Sequence, residues 1–121
     1  MKTLILGSNG LVGSSLSRKL QTKSLYSEVI SATRKEANLF SESETKSLIG
    51  NIKPDIIINA AAKVGGIFAN DTNRTEFILE NLKININLLE SLIPYPETKL
   101  INLGSSCIYP LGAKIPIQET S

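Results

Sequence analysis

Short apolar runs alternate with longer mixed segments along this chain of 121 residues. Four runs are rich in apolar or β-branched residues and predict strands, at 3–6, 28–32, 54–62 and 99–103. The segments between them predict three helices, at 14–23, 43–51 and 75–93. Because the runs are apolar at almost every position, the strands are expected to be buried on both faces, as in an open parallel α/β sheet with right-handed crossovers.

Two helix predictions carry local complications. Residues 84–87, Ile-Asn-Ile-Asn, alternate like a strand inside the predicted helix 75–93. Ser43 is expected to cap the helix at 43–51, although Glu44 does not have the spacing that a capping box requires.

Composition indicates one ordinary folded domain rather than disorder, with 41% hydrophobic and 20% charged residues. The net charge of +2 gives no indication of nucleic acid or an anionic membrane as a partner. One cysteine and no histidine exclude an internal disulfide, suit a reducing cytoplasm and argue against a bound metal. The apolar stretch before Gly7 is too short for a signal peptide or a membrane span, so we expect a soluble cytoplasmic protein.

The glycines of the first turn carry the main chemical signal. Gly7, Gly10 and Gly13 stand in the spacing G-x-x-G-x-x-G between the first strand and the first helix. Glycine allows a sharp turn and a close approach to a diphosphate, whose charge the helix N-terminus stabilises. The strand–turn–helix context favours dinucleotide binding over a turn with a purely structural role.

A second signal follows the second strand, where an NAD site would carry an acid for the ribose hydroxyls. This chain has Arg34 and Lys35 there, in the sequence ATRKE. A guanidinium suits a 2′-phosphate, which favours NADP over NAD. The alternative is a solvated loop whose charge Glu36 compensates.

Four stretches carry a resemblance to a known family: the glycine turn, EANLF at 36–40, NAAAKVGGIFAN at 59–70 and LGSSCIYP at 103–110. With them the chain resembles the extended short-chain dehydrogenase/reductase superfamily and, within it, the GDP-L-fucose synthase family. Those enzymes are NADP-dependent epimerase-reductases, both oxidoreductase and isomerase, of a GDP-4-keto-6-deoxy sugar. The resemblance implies a Rossmann-type doubly wound parallel sheet of strand order 3-2-1-4-5. Residues 1–121 would form its NADP-binding domain, incomplete at the C-terminus and lacking the substrate domain.

The resemblance also implies roles for single residues. The NADP(H) pyrophosphate would contact Gly7, Ser8, Asn9, Gly10, Leu11, Val12 and Gly13. Arg34 would bind the 2′-phosphate, and Asn38 and Leu39 would flank the adenine. The remaining cofactor-binding residues would be Ala60, Ala61, Ala62, Leu103, Gly104 and Ser106.

The same resemblance assigns the substrate side and the assembly. Ser105 would hydrogen-bond the substrate carbonyl, and Cys107 would be the acid/base of the epimerisations. Lys63 and the loop 64–70 would lie near the nucleotide-sugar, and helix 75–93 would pair two copies into a homodimer.

The chain departs from the family in two respects, since it contains no histidine to match the family's catalytic histidine and no usable Y-x-x-x-K pair. The family reduces its ketone with a Y-x-x-x-K pair, and only Tyr95 and Lys99 have that spacing here. Pro96 lies beside Tyr95 and Lys99 opens a predicted strand, so the two side chains would not share a helix face. The chain is therefore expected to be an N-terminal portion that is inactive alone. Two alternatives stay open: a non-catalytic NADP-binding or interaction module, and a different sugar-nucleotide epimerase or dehydratase.

Overall fold

A four-stranded parallel sheet forms the centre of the molecule. The structure, a computed structural model, describes residues 1–23, 28–62, 71–105 and 108–121. The strands are β1 (Lys2–Leu6), β2 (Glu28–Ala32), β3 (Ile56–Asn59) and β4 (Lys99–Asn102). Their spatial order is β2-β1-β3-β4, and every pairing is parallel. The expected parallel α/β fold is thereby confirmed.

The five-strand order 3-2-1-4-5 is corrected to four strands in the described part of the chain. The observed order corresponds to the 2-1-4-5 part of that series, with β3 and β4 in the last two places. Turns over residues 33–41 take the place of the strand expected beyond β2. The Glu36 and Ala37 N–H groups both donate to the Thr33 carbonyl (3.1 and 3.3 Å), and donors bonded within a turn cannot join a sheet ladder.

Helices cover both faces of the sheet. They are α1 (Leu11–Gln21), α2 (Glu42–Ile52) and α3 (Arg74–Leu92). Ser31 of β2 donates to Ser17 of α1 (2.9 Å), which places α1 on the face that carries Ser31. On the opposite face, Ile49 of α2 and Leu88 of α3 join the buried cluster. Within the described ranges, none of the helices combines the length and apolar content that crossing a membrane requires.

The cap of α2 differs from the prediction. The helix begins at Glu42, and its N-cap is Ser41, whose hydroxyl accepts the Glu44 N–H (3.4 Å). Ser43 therefore lies in the first turn, not at the cap. Glu44 stands at the capping-box position relative to Ser41, but its carboxylate accepts the Asn38 N–H (3.4 Å).

The Ile-Asn-Ile-Asn stretch is helical. It lies within α3, so its strand-like alternation does not determine its structure. Asn81 and Asn85 each donate a side-chain hydrogen bond to the carbonyl four residues earlier, Phe77 (2.8 Å) and Asn81 (3.0 Å). These bonds satisfy both amides on the helix itself.

Thr3 is an exception to polar satisfaction in the core. Its side chain is fully buried in β1, and its hydroxyl has no hydrogen-bond partner within the described part of the chain. We expect Thr3→Val to raise the free energy of unfolding by about 1 kcal/mol, because it removes an unsatisfied hydroxyl and keeps the side-chain shape. Urea denaturation measures the change.

Thr45 supplies the matched control. It is also fully buried, but its hydroxyl donates to the Ser41 carbonyl (2.8 Å). Thr45→Val is therefore expected to lower the free energy of unfolding by about 1 kcal/mol. Equal losses in both variants would contradict the interpretation of Thr3.

Candidate cofactor site

A crevice opens at the carboxyl ends of β1, β2 and β3, with a cavity volume of about 160 Å³. It lies where β2 and β3 flank β1 on opposite sides, the switch point at which doubly wound sheets bind ligands. Its volume is below the roughly 300–1,000 Å³ of typical small-molecule pockets. Its enclosed part can therefore hold only a portion of a dinucleotide, with the rest along the open rim.

The crevice brings together nine of the sequence-predicted residues. They are Gly7, Asn9, Gly10, Arg34, Asn38, Leu39, Ala60, Ala61 and Ala62. Seven further residues complete the wall and were not predicted from the sequence: Leu6, Ala32, Thr33, Ala37, Phe40, Leu48 and Ile84. These additions are mostly apolar side chains at strand ends and on α2 and α3, where the sequence predicts core.

The other predicted residues that the structure describes do not line the crevice. Ser8 binds β2 through its N–H and hydroxyl, both donated to the Ala32 carbonyl (3.1 and 3.0 Å). Leu11 and Val12 are exposed at the start of α1, whereas Gly13 is buried. Three further residues lie exposed just after β4: Leu103, Gly104 and Ser105.

Part of the predicted substrate side lies outside the described residues. This applies to Lys63, the loop 64–70, Ser106 and Cys107. Of the neighbouring described residues, the Ser105 carbonyl accepts the Ile108 N–H (3.3 Å).

Two glycines permit the turn between β1 and α1. Gly7 has φ +70°, and a Cβ there would lie 2.8 Å from backbone atoms of Ala60 and Ala61. A Cβ on Gly13 would overlap the Gly7 carbonyl oxygen and lie 2.8 Å from its carbon. Because real Cβ atoms do not approach so closely, only glycine allows α1 to start against β1 and beside the end of β3.

The N-terminus of α1 is open. Its N-cap, Gly10, offers no side-chain hydrogen bond, and no acidic residue lies in the first turn. By contrast, α2 has the Ser41 cap and two acidic residues, Glu42 and Glu44, in its first turn. Gly10 lines the crevice, so the N-terminus of α1, with its positive dipole end, lies at the edge of the crevice, an arrangement that binds phosphate groups.

The turn after β2 leaves the guanidinium of Arg34 available to bind an anion. The Glu36 carboxylate accepts the Thr33 N–H (2.6 Å) and hydroxyl (2.8 Å), so it is engaged by its own turn rather than by Arg34. Within the described residues Arg34 has no ion pair, and its guanidinium lies 5.1 Å from the Phe40 ring centroid. Lys35 is exposed and does not line the crevice. Of the two cations, Arg34 is the one that faces the site.

The Glu36 carboxylate makes this turn sensitive to acid. The hydrogen bond from the Thr33 N–H, followed by that from its hydroxyl, holds the pKa of Glu36 below its usual value. A lowered folded-state pKa gives a stabilisation that is present above the unfolded pKa of about 4.3 and lost as pH falls further. We expect Glu36→Gln to flatten the stability profile between about pH 5 and 3, measured by urea denaturation. Glu119→Gln, on an exposed tail residue, should leave the profile unchanged.

A pair of asparagines joins the ends of β3 and β4 beside the crevice. Asn59, buried at the end of β3, donates to Asn102 at the end of β4 (2.7 Å). Its side-chain oxygen accepts the Ala61 N–H (3.1 Å), and its carbonyl accepts the Leu103 N–H (3.3 Å). Asn59 thus orients the backbone that leaves both strands. An asparagine at the end of an apolar run, as in Ile-Ile-Ile-Asn at 56–59, is the sequence signal that could have indicated this role.

The Tyr95–Lys99 pair lies away from the crevice. Lys99 opens β4, whereas the crevice is at the carboxyl ends of the strands. Tyr95 packs against the core, where a Cβ on Gly50 would lie 3.3 Å from its hydroxyl. This placement agrees with excluding the pair as the Y-x-x-x-K motif.

The chain has close sequence relatives among curated proteins. It is 42% identical over 120 residues to GDP-L-fucose synthase 1 of Arabidopsis thaliana, covering 99% of this chain and 37% of that one. It is 38% identical over 119 residues to GDP-L-fucose synthase of Escherichia coli, covering 98% and 37%. It is 41% identical over 110 residues to GDP-L-colitose synthase of Yersinia pseudotuberculosis, covering 91% and 35%. The chain therefore spans about a third of the length of the curated relatives it matches.

Solved structures share the fold. The GDP-mannoheptose C4 reductase of Campylobacter jejuni, solved with NADP bound, matches with a TM-score of 0.87 at 30% identity, over 98% of this chain and 35% of that one. A GDP-L-fucose synthetase of Naegleria fowleri bound to NADP matches with a TM-score of 0.85 at 26% identity, over the same shares.

A family model, that of the NAD dependent epimerase/dehydratase family, matches residues 3–121. The match spans the sheet, the glycine turn and the crevice that they form. This chain belongs to the NAD dependent epimerase/dehydratase family.

Proposed function

We propose that this chain is the NADP(H)-binding N-terminal part of an epimerase-reductase that makes GDP-L-fucose from a GDP-4-keto-6-deoxy sugar. The observation that carries the proposal is the open N-terminus of α1 on the same crevice as Arg34, which has no ion pair among the described residues. The names of the curated relatives and the NADP in two structural neighbours support it. We place the enzyme in the cytoplasm, since its single cysteine suits a reducing compartment.

Different residues of the crevice bind different parts of the dinucleotide. The first N–H groups of α1 hold the pyrophosphate, and Arg34 holds the 2′-phosphate as a bidentate donor. Asn38 and Leu39 flank the adenine, and Ala60, Ala61 and Ala62 line the crevice beside β1. NADPH, when bound, supplies the hydride that reduces the ketone.

Two residues after β4 are proposed for the sugar. Ser105 donates a hydrogen bond to the ketone oxygen, which stabilises the enolate that forms when a neighbouring C–H loses its proton. Cys107 takes that proton from one face of the enolate, and a second acid, which this chain does not supply, protonates the opposite face, so that the carbon is epimerised. Leu103, Gly104 and Ser106 form the border between the sugar and the cofactor.

The binding proposal is tested by titrating the chain with NADPH and following nicotinamide fluorescence. We expect micromolar or weaker binding and no steady reduction of the keto-sugar by this chain alone, since it has no usable Y-x-x-x-K pair. Adding a polypeptide that covers the remaining two-thirds of a relative should restore turnover. Turnover by the chain alone would contradict the proposal.

The role of Cys107 is tested in a chimera that joins this chain to the remainder of the Escherichia coli relative. Cys107→Ser should impair epimerisation and leave NADPH affinity intact. Equal loss of both would show a structural role. Assaying the unmutated chimera with the precursor of GDP-colitose and, separately, with that of GDP-fucose distinguishes between the two sugar products that the relatives' names specify.

An exposed stripe on α3 supports a homodimer. Ile78, Leu82, Ile86 and Leu89 are each 50–60% exposed and recur at spacings of four, four and three residues, which places them on one helix face. We propose that this face pairs with its copy in a second chain.

Sedimentation should give a dimer for the unmutated chain. The double substitution Leu82→Lys with Ile86→Lys should convert it to a monomer, whereas Lys83→Glu should leave it dimeric. NADP-dependent binding of an unrelated protein to this face would instead favour an interaction module.

A further inference from the structure

Phe40 supplies an aromatic ring beside the candidate phosphate-binding arginine. The Arg34 guanidinium lies over it, 5.1 Å from the ring centroid, within the range of a cation–π contact. Both residues line the crevice, and the ring is half-buried whereas Arg34 is exposed. An exposed arginine side chain samples many rotamers, and a ring beneath its guanidinium restricts that sampling.

The segment that carries the ring is held on two sides. The Phe40 N–H donates to the Asn38 side-chain oxygen (3.1 Å), which closes a local turn. The Leu39 carbonyl accepts the side-chain amide of Asn87 (2.9 Å), a residue of α3 that is 8% exposed. One contact is local and the other spans 48 residues of sequence, so the ring is positioned by the fold rather than by a free loop.

No carboxylate in the same turn competes for the guanidinium. Glu36 stands two residues after Arg34, and its carboxylate is bonded to the Thr33 N–H and hydroxyl. The guanidinium edge that does not contact the ring therefore stays available to an anion. A dianionic phosphate is the anion that a planar guanidinium binds in bidentate fashion.

We propose that Phe40 is a positioning residue for Arg34 and thereby sets the preference for a dinucleotide with a 2′-phosphate over one without it. Phe40 acts through Arg34, which carries the charge. The inference rests on the proposed NADP site. It deepens that proposal by adding a residue that belongs neither to the glycine turn nor to the pair of cations after β2.

The test compares NADPH and NADH binding by fluorescence. Phe40→Leu is expected to weaken NADPH binding about two- to fivefold, the value of an exposed cation–π contact, and to leave NADH binding unchanged. Phe40→Tyr, which keeps a ring, should retain the preference. Thermal unfolding of each variant checks the fold. Equal weakening of both dinucleotides by Phe40→Leu would overturn the inference, since the ring would then be only part of the wall.

A double-mutant cycle separates positioning from independent contact. In an Arg34→Ala background, Phe40→Leu should have no further effect on NADPH affinity. Additive losses would overturn the inference. If Arg34→Ala alone leaves NADPH affinity unchanged, the proposed NADP site fails; if Arg34→Ala weakens binding and Phe40→Leu does not, only the positioning role fails.

Discussion

Replacing Gly13 with alanine is expected to lower the free energy of unfolding by about 2–4 kcal/mol. The new Cβ would overlap the Gly7 carbonyl oxygen and press on the Gly7 carbonyl carbon and Ser8 Cα. All three are backbone atoms, which no rotamer change can move aside. Gly7 in turn lies against Ala60 and Ala61, so α1 would have to shift from the sheet. Urea denaturation measures the loss.

Gly10 is the matched control in the same turn. It has an ordinary φ of −80°, and a Cβ there would meet only the Gly7 carbonyl oxygen at 3.4 Å. Gly10→Ala is therefore expected to lower the free energy of unfolding by less than about 1 kcal/mol, the usual difference between these residues at an N-cap. NADPH binding should still weaken, because the added methyl lies where the pyrophosphate must approach. Equal destabilisation by the two substitutions would refute the close-packing explanation.

Replacing Arg34 with alanine is expected to weaken NADPH binding by about ten- to 150-fold, the range that hydrogen bonds to a charged group span. NADH has no 2′-phosphate, so its affinity should change little. The preference between the two dinucleotides would then largely disappear. Fluorescence titration of both dinucleotides with the wild-type and variant chains gives the comparison.

Lys35→Ala distinguishes this contact from general electrostatic attraction. Lys35 has the same charge and lies next in sequence, but it does not line the crevice. Its removal should weaken NADPH binding less than about twofold, and added salt should abolish that difference. A loss equal to that of Arg34→Ala would show that net charge, rather than the position of one guanidinium, accounts for the affinity.

The elements that the sequence predicted correctly are those whose signal is local. Continuous apolar runs predict the strands because a strand covered on both faces admits few polar residues. The glycine turn is equally local, since Gly7 and Gly13 approach each other within one turn of chain. The strand predicted over 54–62 was too long: β3 ends at Asn59, where the side-chain oxygen bonds the Ala61 N–H and turns the chain into the crevice.

The parts that the sequence did not predict depend on contacts between distant segments. Asn87 is buried in α3 and bonds the Leu39 carbonyl 48 residues away, a contact that no local sequence pattern indicates. From the sequence alone Phe40 is typical of a core residue, and only the fold shows that its ring lies under the Arg34 guanidinium. The resemblance already assigns the 2′-phosphate to Arg34, but only the fold shows that Arg34 lines the crevice and Lys35 does not.

The open N-terminus of α1 also bears on how the molecule moves. The amides of Leu11, Val12 and Gly13 start the helix without a side-chain acceptor at the cap, so in the free protein they should exchange hydrogen with water faster than the centre of the helix. A bound pyrophosphate supplies the missing acceptors and slows that exchange. The dinucleotide then completes the first turn of the helix and stabilises the whole domain, by about 2.7 kcal/mol at a hundredfold excess over its Kd.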